Sequence, residues 1–299
     1  MTAYFWQKEV DNTYNPYYYI YNNIVRICFL VIMKRIESRS NPIIKSTVAL
    51  RDKKSREESG LFRFEGVHLL EEYLRSGRTP RTVFLLEGSR PAAEIASKAG
   101  CEVIEVTESV YSKLTSEKAP QGVLTVAEYP ESVVYVGRGV DADTAVGAAK
   151  DTVIILDSLQ DTGNVGTVIR TAASIGASVF LSGACADILS EKTVRATMGA
   201  IFFSDVFVWS STEECIRALQ KNGRRVFAAA LREDGIRLGS CDFLRDDCFI
   251  IGNEGRGISD SSISLCDGTV YIPMTGKTES LNAAAAAAMI IWEARRGFI

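Results

Sequence analysis

The stretch that decides the fold is FIIGNEGRGISDSSISLCDGTVYIPMTGKTESLNAAAAAA, residues 249–288. Two apolar runs in it, 249–251 and 270–272, predict buried strands, and each breaks into a loop of glycine, proline or polar residues. Ser280 is a good helix N-cap, and the alanine run behind it predicts a helix. Ligands of α/β sheets bind where neighbouring strands end in such loops. We therefore predict a ligand site between these two strands, which we expect to be adjacent.

Length and composition predict a protein of two domains with reduced thiols. A chain of 299 residues suffices for two cores, and its hydrophobic (46%) and charged (24%) fractions are those of an ordinary globular protein. The net charge of −3 argues against a chain that coats nucleic acid uniformly. Seven scattered cysteines without a C-x-x-C pair and a single histidine lead us to predict neither disulfides nor a metal site.

The sequence offers no membrane or export signal. No run reaches the roughly 18 apolar residues that a transmembrane helix needs, and the N-terminus lacks the basic start of a signal peptide. We predict a cytoplasmic protein without a membrane partner. Residues 1–32 differ in composition from the rest, and we interpret them as an extension upstream of a natural start at Met33; a genuine accessory arm is the alternative.

Strand and helix patterns divide the rest of the chain into two domains and a linker. Residues 33–130 alternate short strands and helices and predict a small α/β domain with a binding role. Its first part, 33–56, has eight basic and two acidic residues, as a solvated helix face or a phosphate-contacting arm would. Residues 131–150 show little regular pattern and predict a linker. Residues 151–299, with one helix over 192–203, predict a mostly parallel sheet covered by helices on both faces.

Polar side chains gather in three loops that follow predicted strands. They are Asn164 and Arg170 after the first strand of the second domain, Asn253 and Glu254 after the sixth, and Ser280 and Asn282 after the seventh. Arg170 stands among apolar residues of a predicted helix, and a buried arginine needs a partner. We expect Glu254 to be that partner, either within an active site or in a structural ion pair that ties two loops together.

These segments resemble the motifs of the SpoU (TrmH-type) RNA 2′-O-methyltransferases. The resemblance is carried by NVGTVIRTA at 164–172 (motif 1), GNEGRG at 252–257 (motif 2), IPM at 272–274 with SLN at 280–282 (motif 3), and KTVRATMGA at 192–200. In addition, residues 61–77, with FEG at 64–66, are similar to the ribosomal-protein-like RNA-binding domain that precedes the catalytic domain in many members.

The resemblance implies a fold, a cofactor and partners. The second domain should contain a trefoil knot, a rare exception to unthreaded topology, and the protein should be a homodimer with its site near the subunit interface. S-adenosylmethionine is the implied cofactor and RNA the implied substrate, with the domain order favouring 23S-type ribosomal RNA over transfer RNA. The positions that match cofactor-binding ones are Gly252, Ile272 and Leu281, with Asn253, Gly257 and Met274 in the same motifs.

The resemblance also implies methyl transfer to a ribose 2′-hydroxyl. Arg170 matches the catalytic arginine of the family, and the matching polar positions are Asn164, Glu254, Ser280 and Asn282. A guanidinium is normally a fixed cation, so Arg170 either takes up the hydroxyl proton, stabilises developing oxyanion charge or clamps the adjacent phosphate.

Two other functions are weighed against this one. An RNA-binding or ribosome-assembly protein that has lost catalysis is the first alternative, and three intact motifs argue against it. A nucleotide-dependent oxidoreductase is the second. It is disfavoured because the glycines at 252, 255 and 257 reverse the dinucleotide-binding spacing G-x-G-x-x-G.

Overall fold

The computed structural model describes residues 34–240, 242–276 and 280–299, which form two β-sheets with helices packed against them. The predicted extension, residues 1–32, and the predicted start at Met33 lie outside the described residues. No described helix is long and apolar enough to cross a membrane.

The N-terminal sheet has five strands and mixed directions. Its strands are β1 (Lys34–Ile36), β2 (Leu61–Glu65), β3 (Thr82–Leu86), β4 (Glu102–Val106) and β5 (Val123–Glu128). In the order β1-β4-β3-β5-β2, the first three are parallel and β5 is antiparallel to both of its neighbours. Its helices are α1 (Pro42–Ala49), α2 (Lys53–Ser59), α3 (Val67–Arg75), α4 (Arg90–Ala96) and α5 (Glu108–Leu114). The predicted alternation of strands and helices is present here.

The C-terminal sheet has eight strands. They are β6 (Val133–Tyr135), β7 (Val153–Asp157), β8 (Ser178–Ser182), β9 (Val206–Val208), β10 (Val226–Ala229), β11 (Ile236–Arg237), β12 (Cys248–Ile251) and β13 (Gly268–Tyr271). In the order β11-β13-β10-β12-β7-β8-β9-β6, each described pair is parallel. Parallel sheets are covered on both faces, and every residue of β7 and β8 is buried accordingly. The predicted α/β class is confirmed.

Six helices accompany this sheet. They are α6 (Ala142–Ala148), α7 (Thr162–Ile175), α8 (Glu191–Ala196), α9 (Thr212–Lys221), α10 (Asp260–Leu265) and α11 (Ala283–Arg295). The helix α11 packs against α7 and β12. Its N-cap is Asn282, whose side chain accepts hydrogen bonds from the amides of Ala284 (2.9 Å) and Ala285 (3.1 Å). The prediction of Ser280 as the cap is therefore wrong by two residues, because the loop continues to residue 282 before the backbone turns helical.

One hydrophobic core joins the two sheets. Phe62 and Phe64 of β2 and Tyr73 of α3 surround Phe202, with ring centroids 6.5, 5.4 and 5.1 Å away. Phe202 belongs to a 3-10 turn, Ala200–Phe202, of the C-terminal half. Since these rings are almost fully buried, the N-terminal domain packs against the C-terminal domain through apolar side chains.

Two further details differ from the sequence predictions, and one prediction stays open. Residues 131–150, predicted as a linker, contain β6 and α6, and β6 pairs with β9 at the edge of the C-terminal sheet; a three-residue strand is too short for its periodicity to be read. The helix predicted over 192–203 ends at Ala196, because Met198 (φ 51°) and Gly199 (φ 86°) leave the helical region. The trefoil knot stays a prediction, since strand order and pairing do not reveal threading.

Candidate active site

A cavity of about 680 Å³ opens at the carboxyl ends of β10, β12 and β13. Its walls are the loops after these strands and the first turns of α11. This volume lies within the roughly 300–1,000 Å³ typical of small-molecule sites. The expectation that β12 and β13 are neighbours is wrong, because β10 lies between them. Residues 229–231, which follow β10, therefore line the cavity as well, and the sequence motifs gave no sign of them.

The cavity collects most of the predicted site residues. All six predicted cofactor positions line it: Gly252, Asn253, Gly257, Ile272, Met274 and Leu281. Three of the five predicted catalytic residues, Glu254, Ser280 and Asn282, line it too. Of the remaining two, Asn164 contacts the cavity residues through hydrogen bonds, whereas Arg170 lies elsewhere.

Gly252 is required by a close approach of two backbone segments. A Cβ atom at this position would lie 2.4 Å from the carbonyl carbon of Gly257 and 2.6 Å from the nitrogen of Ile258. Contacts this short do not occur between real atoms, and both neighbours are backbone. Any side chain at residue 252 would therefore push the loop away from its present course beside the cavity.

Asn253 holds the same loop together with its side chain. Its Oδ1 accepts hydrogen bonds from the amides of Gly255 (3.0 Å) and Arg256 (3.1 Å), and its Nδ2 donates to the carbonyl oxygen of Ser158 (2.8 Å). Both ends of the amide are thus occupied by protein groups. Its backbone is engaged as well, because its amide donates to the carbonyl oxygen of Gly257 (3.1 Å) and its carbonyl oxygen accepts from the amide of Gly257 (2.9 Å), so Asn253 fixes the shape of the loop.

A chain of hydrogen bonds links the three motif loops. The Nδ2 of Asn164 donates to Glu254 (3.1 Å), and the Nδ2 of Asn282 donates to the Oδ1 of Asn164 (2.9 Å). The backbone amide of Asp161, the N-cap of α7, also donates to Glu254 (3.3 Å). Glu254 and Asn282 are exposed, so their remaining hydrogen-bonding capacity faces the opening of the cavity.

Glu254 is held in its charged form. Partial burial acts to raise its pKa, but hydrogen bonds from its own amide, from the Asn164 side chain and from the amides of Asp161 and Gln160 outweigh that effect, so the pKa lies below the ordinary glutamate value. A permanently ionised carboxylate accepts hydrogen bonds and does not donate a proton near neutral pH. Glu254 therefore acts as a hydrogen-bond acceptor in this network.

Arg170 contradicts the prediction of a buried Arg–Glu pair. It is exposed on α7, and its guanidinium has no hydrogen-bond or ion-pair partner among residues 34–240, 242–276 and 280–299. It lines a separate groove together with α3 of the N-terminal domain. The helix buries Val165, Val168, Ile169 and Ala172 on its other face, so the apolar neighbours of Arg170 in sequence are not its neighbours in space.

Arg63 is the most deeply buried of the described arginines, and the motifs did not indicate it. Its side chain on β2 has no exposed surface, and its Nε donates to Glu191 at the start of α8 over 2.6 Å. Its Nη2 donates to the carbonyl oxygen of Leu114 (2.8 Å). The signal in the sequence was the charged residue in the middle of an apolar strand, LFRFE.

The described residues contain no cluster of three His, Cys, Asp or Glu side chains that would hold a metal ion. The five described cysteines are free thiols. Burial raises the pKa of Cys185 to about 11, so that thiol stays protonated at neutral pH and is a poor nucleophile.

Comparison with known proteins places this site in a family. Residues 151–292 match the SpoU rRNA Methylase family and residues 41–125 match an MRM3-like substrate binding domain. A Bacillus subtilis relative, the 23S rRNA (guanosine(2553)-2′-O)-methyltransferase RlmP, is 30% identical over 88% of this chain and 100% of its own length.

Solved structures agree with this match. The AdoMet-bound rRNA methyltransferase from Sinorhizobium meliloti superposes with a TM-score of 0.75 at 31% identity, over 89% of this chain and 99% of that one. The SpoU methyltransferase AviRb from Streptomyces viridochromogenes, in complex with AdoMet, superposes with a TM-score of 0.74 at 28% identity, over 86% and 98%. The chain therefore belongs to the SpoU family of methyltransferases.

Proposed function

We propose that this protein transfers a methyl group from S-adenosylmethionine to a ribose 2′-hydroxyl in RNA, and that the RNA is ribosomal and of the 23S type. The observation that carries the proposal is the cavity at the ends of β10, β12 and β13, in which the loops of motifs 2 and 3 meet and to whose residues Glu254 and Asn282 the motif 1 residue Asn164 is hydrogen-bonded. The 23S rRNA methyltransferase activity of the Bacillus subtilis relative and the match of residues 41–125 to a substrate-binding domain favour ribosomal over transfer RNA. No observation favours an inactive RNA-binding protein.

The cavity fits the cofactor in size and chemistry. Ile272, Met274 and Leu281 offer apolar surface to an adenine ring and a methionine side chain, and the last two are 39% and 36% exposed. Gly252 lines the cavity without a side chain, so a ligand can approach its backbone closely, and the mutual backbone hydrogen bonds of Asn253 and Gly257 hold the loop beside it. When bound, S-adenosylmethionine supplies an electrophilic methyl group on a sulfonium centre.

The polar chain at the cavity mouth positions the acceptor. Methyl transfer needs the 2′-oxygen in line behind the methyl group, and fixing that geometry supplies much of the rate. Asn282 and Glu254 are themselves held by Asn164, so their orientation is set before RNA arrives. Ser280 lies exposed at the same mouth. We infer that these side chains bind the ribose and the cofactor through hydrogen bonds.

Arg170 completes the site from a second subunit in this proposal. The guanidinium does not line the cavity of its own chain and has no partner among the described residues. A homodimer in which the α7 face of one subunit meets the cavity mouth of its partner would bring Arg170 to the acceptor nucleotide. There it would stabilise developing oxyanion charge or hold the adjacent phosphate.

The helix α11, which packs on α7, carries a surface suited to such a dimer. Its outward positions Ala285, Met289, Trp292 and Arg296 recur every three or four residues. Met289 and Trp292 are 45% and 56% exposed, and Phe298 beyond the helix is 45% exposed. Contiguous exposed apolar side chains mark an interaction surface, and we infer that a second copy of the chain covers it.

The cytoplasm is the proposed compartment of this protein. The five described cysteines are free thiols, which suit a reducing cytoplasm.

The test is methyl transfer from radiolabelled S-adenosylmethionine to ribosomal RNA prepared from the native host after deletion of this gene, with transfer RNA in parallel. We expect label in 23S rRNA as a 2′-O-methyl nucleotide. Arg170→Ala should lower the rate by about 10²–10³-fold while leaving cofactor affinity, measured by calorimetry, unchanged. Absence of labelled RNA with a folded, cofactor-binding protein would refute the proposal.

Dimers that contain two different variants test whether Arg170 acts at the cavity of the partner subunit. Arg170→Ala and Gly252→Val should each be inactive, whereas dimers exchanged between them should recover roughly a quarter of wild-type activity, since one site in each mixed dimer is intact. Sedimentation should give twice the chain mass of 32.8 kDa. Mixed dimers that form but stay inactive would place Arg170 at the site of its own chain.

A further inference from the structure

A second groove, of about 330 Å³, runs between the two domains. One wall is α3 of the N-terminal domain, with His68, Glu72 and Arg75. The other wall is the second half of α7, with Arg170, and the turn that follows α8 and ends at Phe203. The groove therefore joins the N-terminal domain to the arginine that the proposed reaction needs.

An aromatic ring and a guanidinium form a stacked pair in this groove. The Arg75 guanidinium lies 5.2 Å from the centroid of the Phe203 ring. Phe203 is 42% exposed and the Arg75 side chain is 71% exposed, so both remain open to a ligand. Glu72 fixes the guanidinium through an ion pair of 2.7 Å. Exposed aromatic and arginine planes of this kind bind unstacked nucleobases.

The two walls of the groove are fixed relative to each other by contacts at its base. A Cβ atom at Gly199, whose φ is +86°, would lie only 2.6 Å from the Cβ of Glu72, so the turn and α3 already touch. The Nη1 of Arg78 donates to the carbonyl oxygen of Phe202 over 2.7 Å, just before Phe203. The stacked pair is therefore presented on a surface that is formed before any ligand binds.

The charge of the groove suits an anionic ligand. Arg75 and Arg170 are cationic, His68 is exposed beside them, and the carboxylate of Glu72 is engaged by Arg75. Aromatic stacking combined with basic groups is the recognition chemistry of single-stranded nucleic acid.

We propose that this groove binds an unpaired nucleotide of the RNA substrate, with its base stacked on Phe203 and Arg75 and its phosphate near Arg170. The inference rests on the proposed function and extends it, because the groove shares Arg170 with the reaction. The bound nucleotide is then a close neighbour of the nucleotide that is methylated, and α3 takes part directly in substrate selection.

The experiment compares Phe203→Ala, Phe203→Trp and Leu244→Ala with the wild-type dimer. Leu244 is an exposed apolar residue (54%) that lines neither the cavity nor the groove and serves as the matched control. Measurements are the equilibrium affinity for unmethylated ribosomal RNA by filter binding, KM and kcat for methyl transfer, and cofactor affinity.

We expect Phe203→Ala to weaken RNA binding and raise KM about tenfold, the effect of losing one stacked base, with kcat and cofactor affinity preserved. Phe203→Trp should restore binding, because an indole also stacks, and Leu244→Ala should behave as wild type. Wild-type RNA affinity in Phe203→Ala, or a loss shared equally by Phe203→Trp, would overturn the inference. Failure of the proposed function is a different result, since it would leave the wild-type protein without methyl transfer whatever its RNA affinity.

Discussion

The chain contains two polar networks of opposite character, one between the domains and one at the cavity mouth. Between the domains, Arg63 is fully buried and Glu191 is 15% exposed, and Ser116 donates to the second carboxylate oxygen of Glu191 over 2.5 Å. At the mouth, Glu254, Asn164 and Asn282 are linked by bonds of 2.9 and 3.1 Å and reach the surface.

The difference separates a structural role from a functional one. A buried charge must be fully paired within the protein, and Arg63 meets that condition with Glu191 and the carbonyl oxygens of Leu114 and Thr47. The network at the mouth keeps unused acceptors and donors at an open cavity. We therefore interpret the buried network as structural, and we propose a functional role for the network at the mouth.

The largest effect should come from breaking the buried network. Arg63→Met leaves Glu191 buried without its partner and should cost about 3–5 kcal/mol of unfolding free energy, measured by urea denaturation. The double variant Arg63→Met with Glu191→Leu also removes the carboxylate bonded to the Arg63 Nε and should recover part of the loss, whereas the carboxylate of Glu65, 3.9 Å from the Arg63 guanidinium and 7% exposed, remains. Equal instability of the single and double variants would show that packing, and not the unpaired charge, sets the cost.

A change at the cavity should act on the cofactor with less effect on the fold. Gly252→Ala forces the loop away from Gly257 and Ile258, and overpacking of this kind costs roughly 1–3 kcal/mol. We expect the affinity for S-adenosylmethionine, measured by calorimetry, to fall by about one to two orders of magnitude. Gly147→Ala on α6, where nothing lies within 4 Å of an added Cβ, is the matched control without a steric clash, and it should bind as wild type.

Acid should weaken the buried network in a defined direction. Burial acts to raise the pKa of Glu191, but hydrogen bonds and charge from Arg63 and a hydrogen bond from Ser116 outweigh it, so the pKa is lowered. A lowered pKa in the folded protein contributes stability at any pH above the pKa of the unfolded state, which is about 4.3 for an ordinary glutamate. This stability is lost as the pH falls through the pKa of the folded state. The Tm difference between wild type and Glu191→Gln should shrink below about pH 4. A difference that grows with acid would contradict the assignment.

The smallest effect should follow loss of one bond in the open network. Asn164→Ala removes the donor to Glu254 and the acceptor for Asn282, each worth about 1 kcal/mol. Because solvent can replace these partners, we expect unfolding free energy to change little and kcat/KM for RNA methylation to fall several-fold. Destabilisation as large as that of Arg63→Met would show that the two networks do not differ as described.

Local features of the sequence predicted the motif loops well. Gly252 is needed where two backbones touch, and the polar positions 164, 254 and 282 sit directly at strand and helix ends. Such positions are specified by residues a few places apart, through glycine, capping side chains and short apolar runs. The same loops carry the family resemblance, so the part of the cavity formed after β12 and β13 could be predicted from the chain alone, whereas residues 229–231 could not.

Only the tertiary structure decided which residues that are distant in sequence contact one another. Arg63 and Glu191 are 128 residues apart, and no local pattern pairs them. The insertion of β10 between β12 and β13 added residues 229–231 to the cavity, and the packing of α7 turned Arg170 toward α3 and away from Glu254. Strand order and helix orientation follow from which apolar faces bury one another, a property of the whole chain. The sequence by itself thus determined the chemistry available at each loop, and the fold decided which of those loops meet.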